Sequence, residues 1–235
     1  MATRHGGSRA RQLKLTAALV GVLVMGTRAR ASDLGFSLNP QSGQGLIKFA
    51  GGSSALDGEK IGVDSVTGLN TPMNGPSTKL SVTGGELSFE TGNFLGGNAA
   101  GTQWDFGSGG FLNLSGAIPS LGIPANSDLL TGQFSDPSFV KALNGGDLKV
   151  EGGAFFSIVN AKLASYFGLP TGVVLYSGGL TTLFRAEGAS PSAFASSGFT
   201  GGTLTVAPVP EPGSILVFAS LAAGAVLLRR RKPSV

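Results

Sequence analysis

The chain has no cysteine, and its single histidine, His5, lies among the first few residues. Without cysteine there is no disulfide framework, no thiolate nucleophile and no zinc–thiolate site. Without histidine beyond position 5, the body lacks the side chain that most often serves as a base near neutral pH. Tryptophan occurs once and tyrosine twice, too few for a cleft lined with indole and phenol rings. Charged residues are only 13% of the chain, and they are unevenly spread. The formal net charge is +4, yet residues 32–207 hold seven basic residues against twelve acidic ones. The basic excess belongs to the two ends: six Lys or Arg in residues 1–31 and four in residues 208–235. Phosphate binding needs bases clustered on the folded domain, so nucleic acid is not an expected partner.

The N-terminal end has the layout of a secretory signal peptide over residues 1–31. Arg4, Arg9, Arg11 and Lys14 form a basic start, and Leu15–Gly26 is an apolar core too short to span a bilayer well. Ala29-Arg30-Ala31 has the small-x-small form of a cleavage site, which leaves Ser32 as the mature N-terminus. Arg9-Ala10-Arg11 is not a twin-arginine pair, so the expected partners are the general secretion machinery and signal peptidase.

The C-terminal end, residues 208–235, has three parts. Pro210 and Pro212 fix their own φ and push Val209 and Glu211 toward extended backbone, which makes a peptide an endopeptidase can grip. The uncharged run Ile215–Leu228 follows. Its 14 residues make a membrane helix of about 21 Å against a hydrocarbon core of about 30 Å, a mismatch that flanking bases can partly cover by snorkelling. Arg229, Arg230, Arg231 and Lys232 then hold that end in the cytoplasm.

Val209-Pro210-Glu211-Pro212, Ser214, the Ile215–Leu228 run and Arg229–Lys232 together resemble the PEP-CTERM sorting signal of exported bacterial proteins. The resemblance covers roughly the last eighth of the chain. It implies processing by an exosortase, a membrane transpeptidase-like enzyme of bacteria that make exopolysaccharide or biofilm matrix. It also implies a transient stay in the inner membrane with the body outside the cytoplasm, then the cell surface or the matrix. The plainer reading of the same residues is an anchor helix after a Pro-rich linker.

Between the two ends lies an exported domain, residues 32–207, holding 33 of the 39 glycines. Eight Gly-Gly pairs separate short runs rich in Val, Ile, Leu, Thr and Phe. That spacing predicts an all-β domain, a Gly-rich antiparallel β-sandwich with one or two short helices. Gly84-Gly85 reads as a two-residue hairpin turn pairing Val82 with Leu87, Leu80 with Phe89 and Lys79 with Glu90. A second strand pair is expected around Gly107–Gly110, a third around Gly178-Gly179, and a last strand over Gly202–Ala207. The Asp136–Gly145 segment reads as a helix with Phe139, Ala142 and Leu143 facing inward. Ala161–Phe167 fits either a short helix or a continuing strand.

Reactive constellations are few. Ser138-Phe-Val-Lys141 has the S-x-x-K spacing of a Ser–Lys pair, but its partner motifs are missing. Leu169-Pro-Thr-Gly172 lacks one residue of a sortase signal. Asp57, Glu59 and Asp64 miss the calcium-loop pattern, and Glu86 with Glu90 fall on a predicted outer face. No metal, cofactor or catalytic residue is assigned. Trp104, beside Asp105, is the candidate glycan contact, with Tyr166 and Tyr176 behind it; the competing reading puts Trp104 in the core. The expected role is a non-enzymatic surface or matrix protein associated with exopolysaccharide. A carbohydrate-binding module for that polymer is the alternative, and an exported hydrolase comes third.

Overall fold

The computed structural model describes residues 32–39, 45–171, 175–190 and 193–209. The predicted signal peptide, with Ala29 and Ala31, and the tail from Pro210 onward lie outside them. Eleven strands dominate: β1 Asp33–Leu38, β2 Leu46–Phe49, β3 Ala55–Leu69, β4 Lys79–Gly97, β5 Gln103–Phe106 and β6 Gly109–Ile118 come first. They are followed by β7 Ile123–Phe134, β8 Ser138–Ala142, β9 Asp147–Val159, β10 Tyr176–Ser190 and β11 Ala193–Pro208. One α-helix, α1 Ala161–Tyr166, lies between β9 and β10, and two short 3-10 turns cover Pro119–Leu121 and Asn144–Gly146. The all-β, antiparallel expectation holds.

All pairings are antiparallel and belong to a single sheet, which closes on itself. One circuit runs β1–β3–β4–β6–β7–β9–β10–β11 and back to β1. A second circuit, at the other end of the long strands, runs β2–β3–β4–β5–β8–β9–β10–β11 and back to β2. Five long strands serve both circuits, while β1 and β2 share one place in the wall and β6–β7 and β5–β8 share another. Every described strand thus has a partner on each side, and closure removes the exposed edge that would otherwise template aggregation.

Alternation fills the interior. Leu34, Phe36 and Leu38 of β1, or Val150 and Leu148 of β9, are buried while their neighbours face out. Aromatic rings meet across the inside: Phe49 of β2 packs edge-on against Phe106 of β5 at 5.3 Å, and Phe89 of β4 against Phe134 of β7 at 6.2 Å. Helix α1 covers one end, laying Leu163, Ala164 and the following Phe167 onto the core. Asn160 caps it by accepting a hydrogen bond from the Lys162 N–H. The helical alternative for Ala161–Phe167 is therefore the one adopted.

Several local expectations are corrected. Gly84-Gly85 is not a hairpin turn but an irregularity within the continuous strand β4. Gly84 takes φ 58° there, five residues of β4 (Ser81 to Gly85) are set against three of β3 (Ser65 to Val63), and Lys79 pairs with Thr67 while Glu90 pairs with Asp57 and Phe111. Gly178-Gly179 likewise sits inside β10. The strands flanking Gly107–Gly110 exist, but β5 pairs with β4 and β8, and β6 with β4 and β7, not with each other. The predicted Asp136–Gly145 helix is strand β8 followed by a 3-10 turn. Its alternation buries Ser138 and Val140, leaves Phe139 half-buried, and exposes Ala142 and Leu143. Pairing on both sides, to β5 and β9, outweighs the local helix signals. The last strand contains the expected Gly202–Ala207 but is longer.

Candidate functional site

The two ends of the described chain leave the sheet together. Leu34 of β1 pairs directly with Val206 of β11, so the strands carrying the two termini are neighbours about 4.8 Å apart. Ser32 donates its hydroxyl to the Asn70 carbonyl at 3.2 Å. Val209 donates its N–H to the Leu175 carbonyl at 2.9 Å and is the last described residue. The Pro210-Glu211-Pro212 element therefore starts at the residue after the last main-chain bond found among the described residues. Pro210, Glu211, Pro212, Ser214, Ile215–Leu228 and Arg229–Lys232 themselves lie outside the described residues, among which no helix is long and apolar enough to cross a membrane.

Trp104 is not at the surface. It is 1% exposed, and its ring meets Phe194 of β11 edge-on at 5.6 Å, from the far side of the closed sheet. The geometry corrects the glycan-contact expectation, because a buried indole offers no face to a sugar ring. Its Nε1 finds no acceptor among the described residues. Tyr176 is buried too and donates its hydroxyl to the Pro170 carbonyl at 2.6 Å; that burial raises its pKa. Tyr166 is half-buried, edge-on to Phe167.

The other constellations come apart in the same way. Ser138 is fully buried and accepts a hydrogen bond from the Gly153 N–H at 3.0 Å, while Lys141, three residues on in a strand, points to the opposite face. Glu59 is engaged by Lys48 and Asp64 by the Ser65 hydroxyl at 2.7 Å. Among the described residues no group of three or more metal-ligating side chains converges.

What sequence reasoning missed is an outward-facing array on β5, β8 and β9. Asp105 pairs with Phe139, which pairs with Glu151; one step along, Gln103 pairs with Lys141, which pairs with Lys149. Their in-strand neighbours Trp104, Val140 and Val150 point inward, so these six share the outer face. Gln103 donates to Asp105 at 2.6 Å, and Glu151 receives both Lys141 and Lys149 (2.9 Å to the latter). The hydrogen bonds from Lys141 and then Lys149 hold the Glu151 carboxyl below its usual range. A carboxylate so held stays ionised and has no proton to give as a general acid. The array can instead accept hydroxyl hydrogen bonds on both sides of a half-exposed ring. The alternation in Gln-Trp-Asp, Phe-Val-Lys and Lys-Val-Glu was visible in sequence, but three segments spread over 49 residues become neighbours only through pairing.

A second surface feature lies at the α1 end, a depression of about 470 Å³ lined by Leu121, Lys162, Ser165, Tyr166 and Thr171. Comparison with known proteins finds no matching family model and no significantly similar curated protein or solved structure.

Proposed function

We propose that this chain is an exported structural protein of the cell surface or extracellular matrix, processed at its tail by an exosortase-type enzyme and without catalytic activity of its own. The observation that carries the reading is the Pro-Glu-Pro element, apolar run and basic stop of residues 210–232, joined without a linker to a body whose last strand ends at Pro208. The body fits a structural role: a closed sheet with no open edge among its described strands, which in our reading is flattened into a sandwich, needs no disulfide to persist outside the cell. Trp104 of β5 and Phe194 of β11 meet from opposite walls, as a flattened barrel requires. No cofactor is called for, and the acidic body disfavours nucleic acid.

Changing Pro210, Glu211 and Pro212 together to Ala tests this directly. In the native host the variant should accumulate as the full-length form in the membrane fraction. Normal maturation of that variant would reduce the tail to an ordinary anchor.

Exopolysaccharide binding is the second reading, and the array around Phe139 now favours it over Trp104. A pyranose stacked on Phe139 would find acceptors in Asp105 and Glu151 on either side. Phe139→Ala should then weaken retention on the host polymer with the thermal unfolding curve unchanged. Retention equal to that of the parent protein would leave the purely structural role.

A further inference from the structure

The α1 end of the sheet carries both chain exits, and the reach of the tail sets how far that end can stand from a membrane. Val209 is pinned to Leu175, and the apolar run begins at Ile215, so five residues, 210–214, form the whole tether. Fully extended, five residues span at most about 18 Å. The headgroup layer takes up roughly 5–8 Å of that. The run is also about 9 Å shorter than the hydrocarbon core, which draws the tether further inward. Little more than one layer of side chains then separates the α1 end from the lipid.

The surface presented there suits an interface. Met73, in the β3–β4 connection, is 55% exposed and its N–H is bonded to the Phe167 carbonyl after α1. Leu175, whose carbonyl holds Val209, is 50% exposed. Lys79 at the start of β4 and Lys162 of α1, both exposed, place positive charge at the same end, alongside the carboxylates of Asp33 in β1 and Asp128 in β7. Exposed apolar side chains alone do not choose an end, since Leu143 at the opposite one is 43% exposed. The tether does choose, because it leaves from the α1 end only.

We propose that the anchored body docks upright on the phospholipid surface by its α1 end, with Met73 and Leu175 in the interfacial layer. The far end, with the 50–54 and 143–146 turns, then faces outward. This rests on the membrane-anchor reading of residues 215–232. In this posture the Pro-Glu-Pro element lies in the narrow gap between body and bilayer, where a membrane-embedded protease can meet it.

The natural absence of cysteine makes the test clean. The full chain from Ser32 carries a single fluorophore on Met73→Cys, Leu175→Cys, Ser53→Cys or Leu143→Cys. Each variant is reconstituted into phosphatidylcholine–phosphatidylglycerol vesicles containing headgroup spin-labelled lipid. Labels at 73 and 175 should be quenched several-fold more than labels at 53 and 143. Equal quenching at the two ends, on protein that floats with the vesicles, overturns the docking and leaves the anchor intact. Protein that fails to float overturns the anchor reading and the docking with it.

Discussion

Trp104 shows how much a residue's role depends on which face its strand turns inward. Between Gln103 and Asp105 it is the inward member of β5, and its indole fills the interior against Phe194. Trp104→Ala should destabilise the body by about 3–5 kcal/mol, the ordinary cost of truncating a buried aromatic, measured by denaturant unfolding. Any loss of polymer retention should then track loss of fold. Glu151 makes a different prediction. Its folded pKa is lowered by Lys141 and Lys149, so its stabilisation is present above the unfolded value of about 4.3 and fades as pH falls through the folded one. All three side chains are a third or more exposed, so the net contribution is at most about 1 kcal/mol. Glu151→Gln should therefore cost a few tenths to 1 kcal/mol at pH 7, and the gap to the parent protein should close in acid, as read from unfolding curves across pH.

At the level of elements, the Gly-Gly pairs serve long strands as well as turns. Gly84 has φ 58° with open space where a Cβ would go, whereas a Cβ on Gly85 would overlap the Val63 carbonyl of β3. The two should respond differently to substitution. Gly84→Asn, which tolerates the left-handed region, should stay within about 1 kcal/mol of the parent protein. Gly85→Ala should cost more, because either β3 or β4 must move to admit the methyl group, and denaturant titration of the two variants separates them. The strand identity of β8 has the same tertiary origin. Pro137 and Gly145 bracket a segment that looks helical alone, yet β5 and β9 each offer it a full ladder of main-chain hydrogen bonds.

For the molecule as a whole, closure makes β11 indispensable. It pairs with β10 along most of its length, with β1 near its end and with β2 near its start. The fragment 32–209 should fold by itself and give a far-ultraviolet circular dichroism spectrum dominated by strand. Ending the chain at residue 200 instead should abolish cooperative thermal melting, because Leu204 and Val206 leave the core and both β1 and β10 lose a neighbour. Closure also explains why this domain, among its described strands, needs no edge protection from charged or proline-rich outer strands.

The sequence by itself determined the all-β class and the inward faces of segments such as Leu80–Phe89 and Leu112–Leu114, and it alone carries the two targeting proposals, because all of these are local. Apolar length, proline geometry, charge at the ends and two-residue alternation need no distant partner to be read. It also held both alternatives for Ala161–Phe167 and left the choice open. Tertiary structure alone decided whether a Gly-Gly pair turns the chain or kinks a strand, since positive φ is open to glycine in both and only the neighbouring register at Val63 and Ser65 tells them apart. It decided that Trp104 is core and that Phe139, once expected inside, lies on the outer face between two carboxylates. It decided, finally, that the two chain exits share one end. Each of these depends on which strands lie side by side, and pairing between residues as distant as Leu34 and Val206 leaves no mark in either segment alone.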